Sequence, residues 1–142
     1  MIIDIPENSD FSIYNIPFGI FSTKQRTPRA GVAIGNHILD LVALSELGVF
    51  DFDTSVFNKN TLNDFISLGK PITNKVRTSI QDWISDHNSP ISNKTNLFVL
   101  QSESQMHMPI NIGDYTDFYS SIEHATNIAA KSVIIPYLTH LL

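Results

Sequence analysis

Residues Gly113 to Asn127, GDYTDFYSSIEHATN, bring three acids, three aromatics and a histidine into fifteen positions. Ser120 stands three residues before Glu123, the spacing of a capping box, in which a serine closes a helix start and a glutamate reaches back to it. A helix that begins there places His124 in or just beyond its first turn. The partial positive charge of a helix start disfavours the imidazolium form and leaves a neutral ring, which can accept a proton near pH 7. Asp117 and Tyr119 fall in the extended stretch before the cap, where a carboxylate can reach a metal ion and a phenol can reach a ligand. The same residues have plainer uses. A histidine near a helix start often serves as a surface or hydrogen-bonded structural residue. Asp117 suits a turn or a cap, and Tyr119 suits a core whose hydroxyl finds a partner. Spacing alone names no reaction.

The chain that must position these residues has 142 of them, the size of one ordinary domain, able to bury about two thirds of its unfolded surface. Hydrophobic residues at 42% and charged residues at 16% describe a soluble globular protein, and no apolar run reaches the length of a membrane span. The acidic N-terminus, MIIDIPENSDF, carries no positive region of the kind a signal peptide has, so export is not expected. Without cysteine there is no disulfide, thiolate nucleophile or Cys-ligated zinc, which suits a cytoplasmic location. A net charge of -5, with basic residues grouped only loosely at Lys24, Arg26 and Arg29, argues against a nucleic-acid partner.

Several elements are legible. Phe11, Ile13, Tyr14 and Ile16 suggest a short strand that Pro17 and Gly19 break. The stretch GVAIGNHILDL sets two apolar runs around Gly35-Asn36 and predicts a hairpin, because glycine supplies the positive φ of a tight turn. A short helix weakened by Gly48 is expected within 42–50. Thr61, three residues before Asp64, predicts a capped helix with Leu62, Phe65 and Ile66 on one face, ended by Gly69. After Pro71 the residues Ile72, Val76, Ile80, Trp83 and Ile84 recur at spacings of three and four, an amphipathic helix over about 72–86. Leu97 to Leu100 reads as a buried strand.

The motif resembles the active-site segment of the fumarylacetoacetase (fumarylacetoacetate hydrolase) family. NSDFSIYNIPFGIFST, GVAIGNHILDL, TLNDFISLG and MHMPINIGDYTDFYSS are similar to that family's N-terminal part, in the same order, and cover nearly all of residues 1–130. The resemblance implies a mainly β fold with helices. Residues 1–109 would form an SH3-like small β-barrel domain, and 110–142 the incomplete opening of a β-rich catalytic domain. It also implies roles. Asp117 would be a ligand of a divalent cation, calcium or magnesium; Tyr119 would contact substrate; His124 would be the base that activates water. The implied reaction is hydrolysis of a carbon–carbon bond in 4-fumarylacetoacetate to fumarate and acetoacetate, in tyrosine and phenylalanine catabolism. The departing carbanion is tolerable only as an enolate, and a hard cation stabilises enolate charge. A homodimer, with no nucleic-acid or membrane partner, is the implied state of the full-length enzyme.

Departures from the family pattern matter as much. Family members are considerably longer, and the resemblance places the other metal carboxylates, the histidine's orienting glutamate and an oxyanion lysine beyond this chain. An arginine that contacts substrate normally follows the histidine on the same helix, but here HATNIAAKSVIIPYLTHLL has none. The chain therefore reads as an N-terminal portion, and alone it is expected to be inactive. Its apolar tail (Val133, Ile134, Ile135, Leu138, Leu141, Leu142) would pack on the barrel, self-associate or stay exposed. His107 also fits the family pattern and reads as a structural residue between domains. His37, His87 and His140 read as bystanders, Asp114 as a turn former, and Ser120 and Ser121 as caps rather than nucleophiles. A second class stays open: a non-catalytic binding or assembly module that keeps the barrel and carries the motif as a relic.

Overall fold

The computed structural model describes residues 3–114 and 120–131; Asp117, Tyr119 and the tail from 132 lie outside the described residues. The chain divides into two compact units, Met1–Asn111 and Ile112–Leu142. The first is built on five strands, β1 (Phe18–Ser22), β2 (Arg29–Ile34), β3 (His37–Asp40), β4 (Phe98–Leu100) and β5 (Gln105–His107), in the antiparallel order β4-β3-β2-β1-β5. The sheet curls into a half-barrel, the form in which the expected β-rich barrel-like domain appears. Among the described residues this unit has three α-helices, α1 (Leu41–Ser45), α2 (Asn63–Ser67) and α3 (Lys70–Ser85), besides short 3-10 turns.

The hairpin is where its sequence placed it. Ile34 pairs with His37 across the two-residue turn, and Gly35 adopts φ +52°. Among the described residues only Asn93 is a non-glycine with positive φ, so the turn has glycine at its first central position and an ordinary φ at Asn36, as a type II′ turn requires.

Both faces of the sheet are buried at its central strands. Successive side chains alternate between faces, so Ile20, Val32 and Leu39 join the main core with Phe57, Val76 and Ile80 from the helical side. Phe21, Gly31 and Ile38 occupy the opposite face and are buried as well. Gly31 is the fitting piece there. A Cβ added to it would lie 2.7 Å from both Ile38 Cγ2 and Phe21 Cδ1, closer than real Cβ contacts come. Gly31→Ala is therefore expected to lower stability by about 1–3 kcal/mol, the range for overpacking a tight core. Urea unfolding checks it, and a change below about 0.5 kcal/mol would show that the curl relaxes freely.

The helix after Pro71 begins at Lys70, runs to Ser85, and buries Val76, Ile80 and Ile84. Pro71 sits in its first turn, where the missing N–H costs nothing. The short helix before Gly48 is α1, followed by Gly48 at φ +68°.

Four local expectations are corrected. Residues 11–16 form no strand. Tyr14 is 87% exposed, and the backbone bonds there are isolated: Gly35 N–H donates to Phe11 O at 2.7 Å and Asn15 N–H to Ser12 O. The strand begins after Pro17 and runs through Gly19, where Met106 comes within 3.0 Å of a hypothetical Cβ. Thr61 does not cap α2. Leu62 stands at the cap without a side-chain bond, because tertiary packing buries it, and Ile66 is left 55% exposed. The run 97–100 is buried only at Leu97; β4 is an edge strand ending at exposed Leu100. Finally, the helix expected after Ser120 is capped one residue later.

Candidate functional site

That helix is α4 (Ile122–Lys131), in the second unit. Its cap is Ser121, whose Oγ accepts the His124 backbone N–H at 3.3 Å. The Ser121 hydroxyl donates its own proton to Glu123 Oε2 at 2.7 Å. His124 therefore occupies the third helical position, and its N–H, one of the four that a helix start leaves without an intrahelical acceptor, is satisfied by the serine. The expected box spacing, Ser120 to Glu123, gives way to Ser121 with Glu123 two residues on, because a hydroxyl one residue later reaches both groups. The Ser121 hydroxyl, followed by the residue's own backbone N–H, holds the Glu123 carboxyl below the ordinary glutamate range. Ser121 thus acts as the cap, accepting from the helix start and donating to Glu123. The first-turn position expected for His124 is the one observed, and its residue is exposed to solvent.

Asp117 and Tyr119, the expected metal ligand and substrate contact, lie outside the described residues. Among the described residues, no group of three or more His, Asp or Glu side chains is placed to share a metal ion. The nearby described carboxylates in sequence are Asp114 and Glu123, and Glu123 is already engaged by Ser121.

The barrel unit carries polar features of its own. His107, in β5, places Nε2 2.8 Å from Ser22 Oγ on the neighbouring strand, which makes it a cross-strand structural partner four residues before the unit ends. His37 sits edge-on to Phe98, and its Nδ1 is buried with no hydrogen-bond partner among the described residues. An open groove of about 1020 Å³ runs past Lys24, Arg26, His37, Phe98 and Glu103 in this unit.

One polar centre was not foreseen. Asp40 is fully buried at the junction of β3 and α1. Its Oδ1 accepts the N–H groups of Val42 (2.9 Å) and Ala43 (3.2 Å), and its Oδ2 pairs with Arg26 at 3.0 Å and Arg29 at 3.8 Å. Two of the three loosely grouped cations thus have a structural use. The signal was present in the sequence, an aspartate directly before the apolar run LVAL, where a helix cap belongs. No described helix is long and apolar enough to cross a membrane.

Comparison with known proteins bears on the whole chain. The profile of the family described as Fumarylacetoacetase N-terminal matches residues 14–109. Human Fumarylacetoacetase is 40% identical over 152 aligned positions, covering 98% of this chain and 36% of the human protein. The Caenorhabditis elegans Fumarylacetoacetase is 43% identical over 136 positions, covering 89% of this chain and 32% of that protein. The Arabidopsis thaliana Fumarylacetoacetase is 39% identical over 135 positions, with 88% and 32% coverage. The chain spans about a third of the length of these curated relatives. Since the family profile matches more than half of its residues, the chain belongs to the fumarylacetoacetase N-terminal family.

Proposed function

We propose that this chain supplies the barrel unit and, from about residue 110, the opening of the catalytic unit of a fumarylacetoacetase. That enzyme would hydrolyse 4-fumarylacetoacetate at a carbon–carbon bond, as a cytoplasmic homodimer with no nucleic-acid or membrane partner. The observation that carries the reading is His124 at the third position of a serine-capped helix, seven residues after Asp117 and five after Tyr119. The 40% identity to human Fumarylacetoacetase over 98% of the chain supports it.

In this reading His124 takes a proton from water, and the resulting hydroxide adds to a substrate carbonyl carbon. The adjacent carbon–carbon bond then breaks. Its electron pair leaves as the enolate of acetoacetate, the attacked carbon becomes the fumarate carboxyl, and the enolate carbon regains a proton. Tyr119 orients the substrate through its hydroxyl. Asp117 would give one carboxylate to a calcium or magnesium ion, which would supply Lewis-acid charge for the developing enolate. The described residues do not by themselves make a cation site. Calcium takes about six to eight oxygen ligands and magnesium about six, so one carboxylate is far too few.

The test follows from that shortfall. Calorimetry on the 142-residue chain is expected to show calcium and magnesium binding no tighter than about millimolar, because one carboxylate replaces little of the ion's hydration. A substrate-loss assay on the same chain should match the buffer control. Joined to the remaining two thirds of a family member, the chain should give cation-dependent loss of 4-fumarylacetoacetate. A joined protein that leaves the substrate intact would overturn the reading.

A further inference from the structure

The sheet face opposite the main core carries a small apolar recess of about 140 Å³. Its floor is a pair of glycines. Gly19 of β1 and Gly31 of β2 stand directly across from each other in the antiparallel register, and Ala33 is the next residue of β2 on that face. Phe21 and Ile38 close one side, and Met106, from edge strand β5, closes another. Gln101 is the one polar side chain of the lining, and its Nε2 is committed to Gly35 O at 2.8 Å. Among the described residues the lining carries no charge, and all of it belongs to the unit Met1–Asn111.

The two glycines stand there for different reasons. At Gly31 the packing demands one, since Phe21 and Ile38 leave no room for a Cβ. At Gly19 it does not. A Cβ there would meet only Met106 Cε, at 3.0 Å, and that is the free end of a flexible side chain able to turn aside. The backbone does not ask for glycine at this position either, because the described glycines with positive φ are Gly35, Gly48 and Gly69. A glycine inside a strand gives up side-chain packing and costs backbone entropy. Such a position often marks the close approach of a ligand. Met106 lines the recess while staying 58% exposed, a wall that shifts at little cost.

We propose that this recess binds one small uncharged aromatic molecule, with its ring over Gly19 and Met106 against it. A dry cavity of about 150 Å³ with aliphatic and aromatic walls holds benzene, so a single six-membered ring matches the space here. A charged ligand is disfavoured, because a carboxylate would lose its hydration and find no cation in the lining. That sets the recess apart from a site for an anionic substrate, and the inference does not depend on the hydrolytic reading. The rival account is a packing gap that Met106 merely covers.

Benzene is the probe. Titrated into the isotopically labelled 142-residue chain and followed by NMR, it is expected to shift the Gly19 and Gly31 amide signals and the Met106 methyl signal saturably. Half-saturation should fall at about 1 mM, within the ceiling for a ligand of about six heavy atoms, with Val76 in α3 unmoved. Benzoate, the same ring with a charge, should bind at least about tenfold more weakly. Gly19→Ala puts a methyl on the floor and should weaken benzene binding about tenfold. Its melting temperature should be unchanged or raised, since alanine has less backbone freedom to lose on folding. Ala33→Leu should fill the recess and remove binding; Gly19→Ala, the milder change, is the variant on which the test rests. No saturable shift up to the solubility of benzene, benzoate binding as tightly as benzene, or a folded Gly19→Ala protein that binds benzene like wild type overturns the proposal.

Discussion

His124→Ala, in a full-length family context, is expected to lower turnover of 4-fumarylacetoacetate by about 10²-fold or more, the contribution of a positioned general base. That corresponds to about 2.7 kcal/mol of transition-state stabilisation. The substitution keeps the helix cap. The bond that ties this position to the cap runs from the backbone N–H to Ser121 Oγ, and alanine keeps that N–H. Alanine is also the best helix former, so α4 should be no weaker. A loss of turnover then reports the imidazole and not the helix. Asp117→Ala should behave differently, raising the cation concentration needed for half-maximal rate before it abolishes the maximum. Turnover of the His124 variant within about threefold of wild type would remove histidine from the mechanism.

Asp40→Ala should have the largest effect on folding, about 3 kcal/mol of lost stability. Removing one member of a buried ion pair costs about 3–5 kcal/mol when the partner is left uncompensated, and loss of a helix cap adds about 1 kcal/mol. The total is held down because Arg26 and Arg29 keep 26% and 19% side-chain exposure and can turn partly to water. Arg26 also retains a bond to Asn96 O at 2.9 Å. Thermal denaturation should fall by roughly 10 °C for a unit of this size. Asp40→Asn keeps an oxygen for the N–H groups of Val42 and Ala43, so it should cost clearly less than alanine. Added salt should change little, since a buried pair is weakly screened. A melting temperature for Asp40→Ala within about 2 °C of wild type would mean that the arginines and the start of α1 find other partners at no cost.

Legibility followed the range of the interaction. Gly35-Asn36 made its hairpin because the turn's demand for positive φ is met within two residues. The spacing of Val76, Ile80 and Ile84 made an amphipathic helix because its period is local. Expectations failed where a distant group settled the matter. The apolar alternation at 11–16 is a fair strand signal, yet those backbone groups bond to turns and to the β2–β3 hairpin. Thr61 has the spacing of a cap, but Leu62 N–H is claimed by Pro109 O, 47 residues away. At the candidate site the histidine's place in the first turn of a helix was readable, since capping is local. Which of two adjacent serines caps it was not, because hydroxyl reach differs by one residue between otherwise equal patterns.

By itself, the sequence determined the family, the period of the main helix, the hairpin turn and the order of the acid, phenol and imidazole. Each is fixed by residue type at short spacing, where local geometry leaves few alternatives. Only the tertiary structure decided that Asp40 gathers Arg26 and Arg29 from the β1–β2 side of the sheet, that β4 and β5 become opposite edges although only residues 101–104 separate them in sequence, and that Asn63 grips Asn111 across 48 positions. Those contacts join parts of the chain far apart in sequence, and the closing of long loops that brings them together leaves no period or spacing to read.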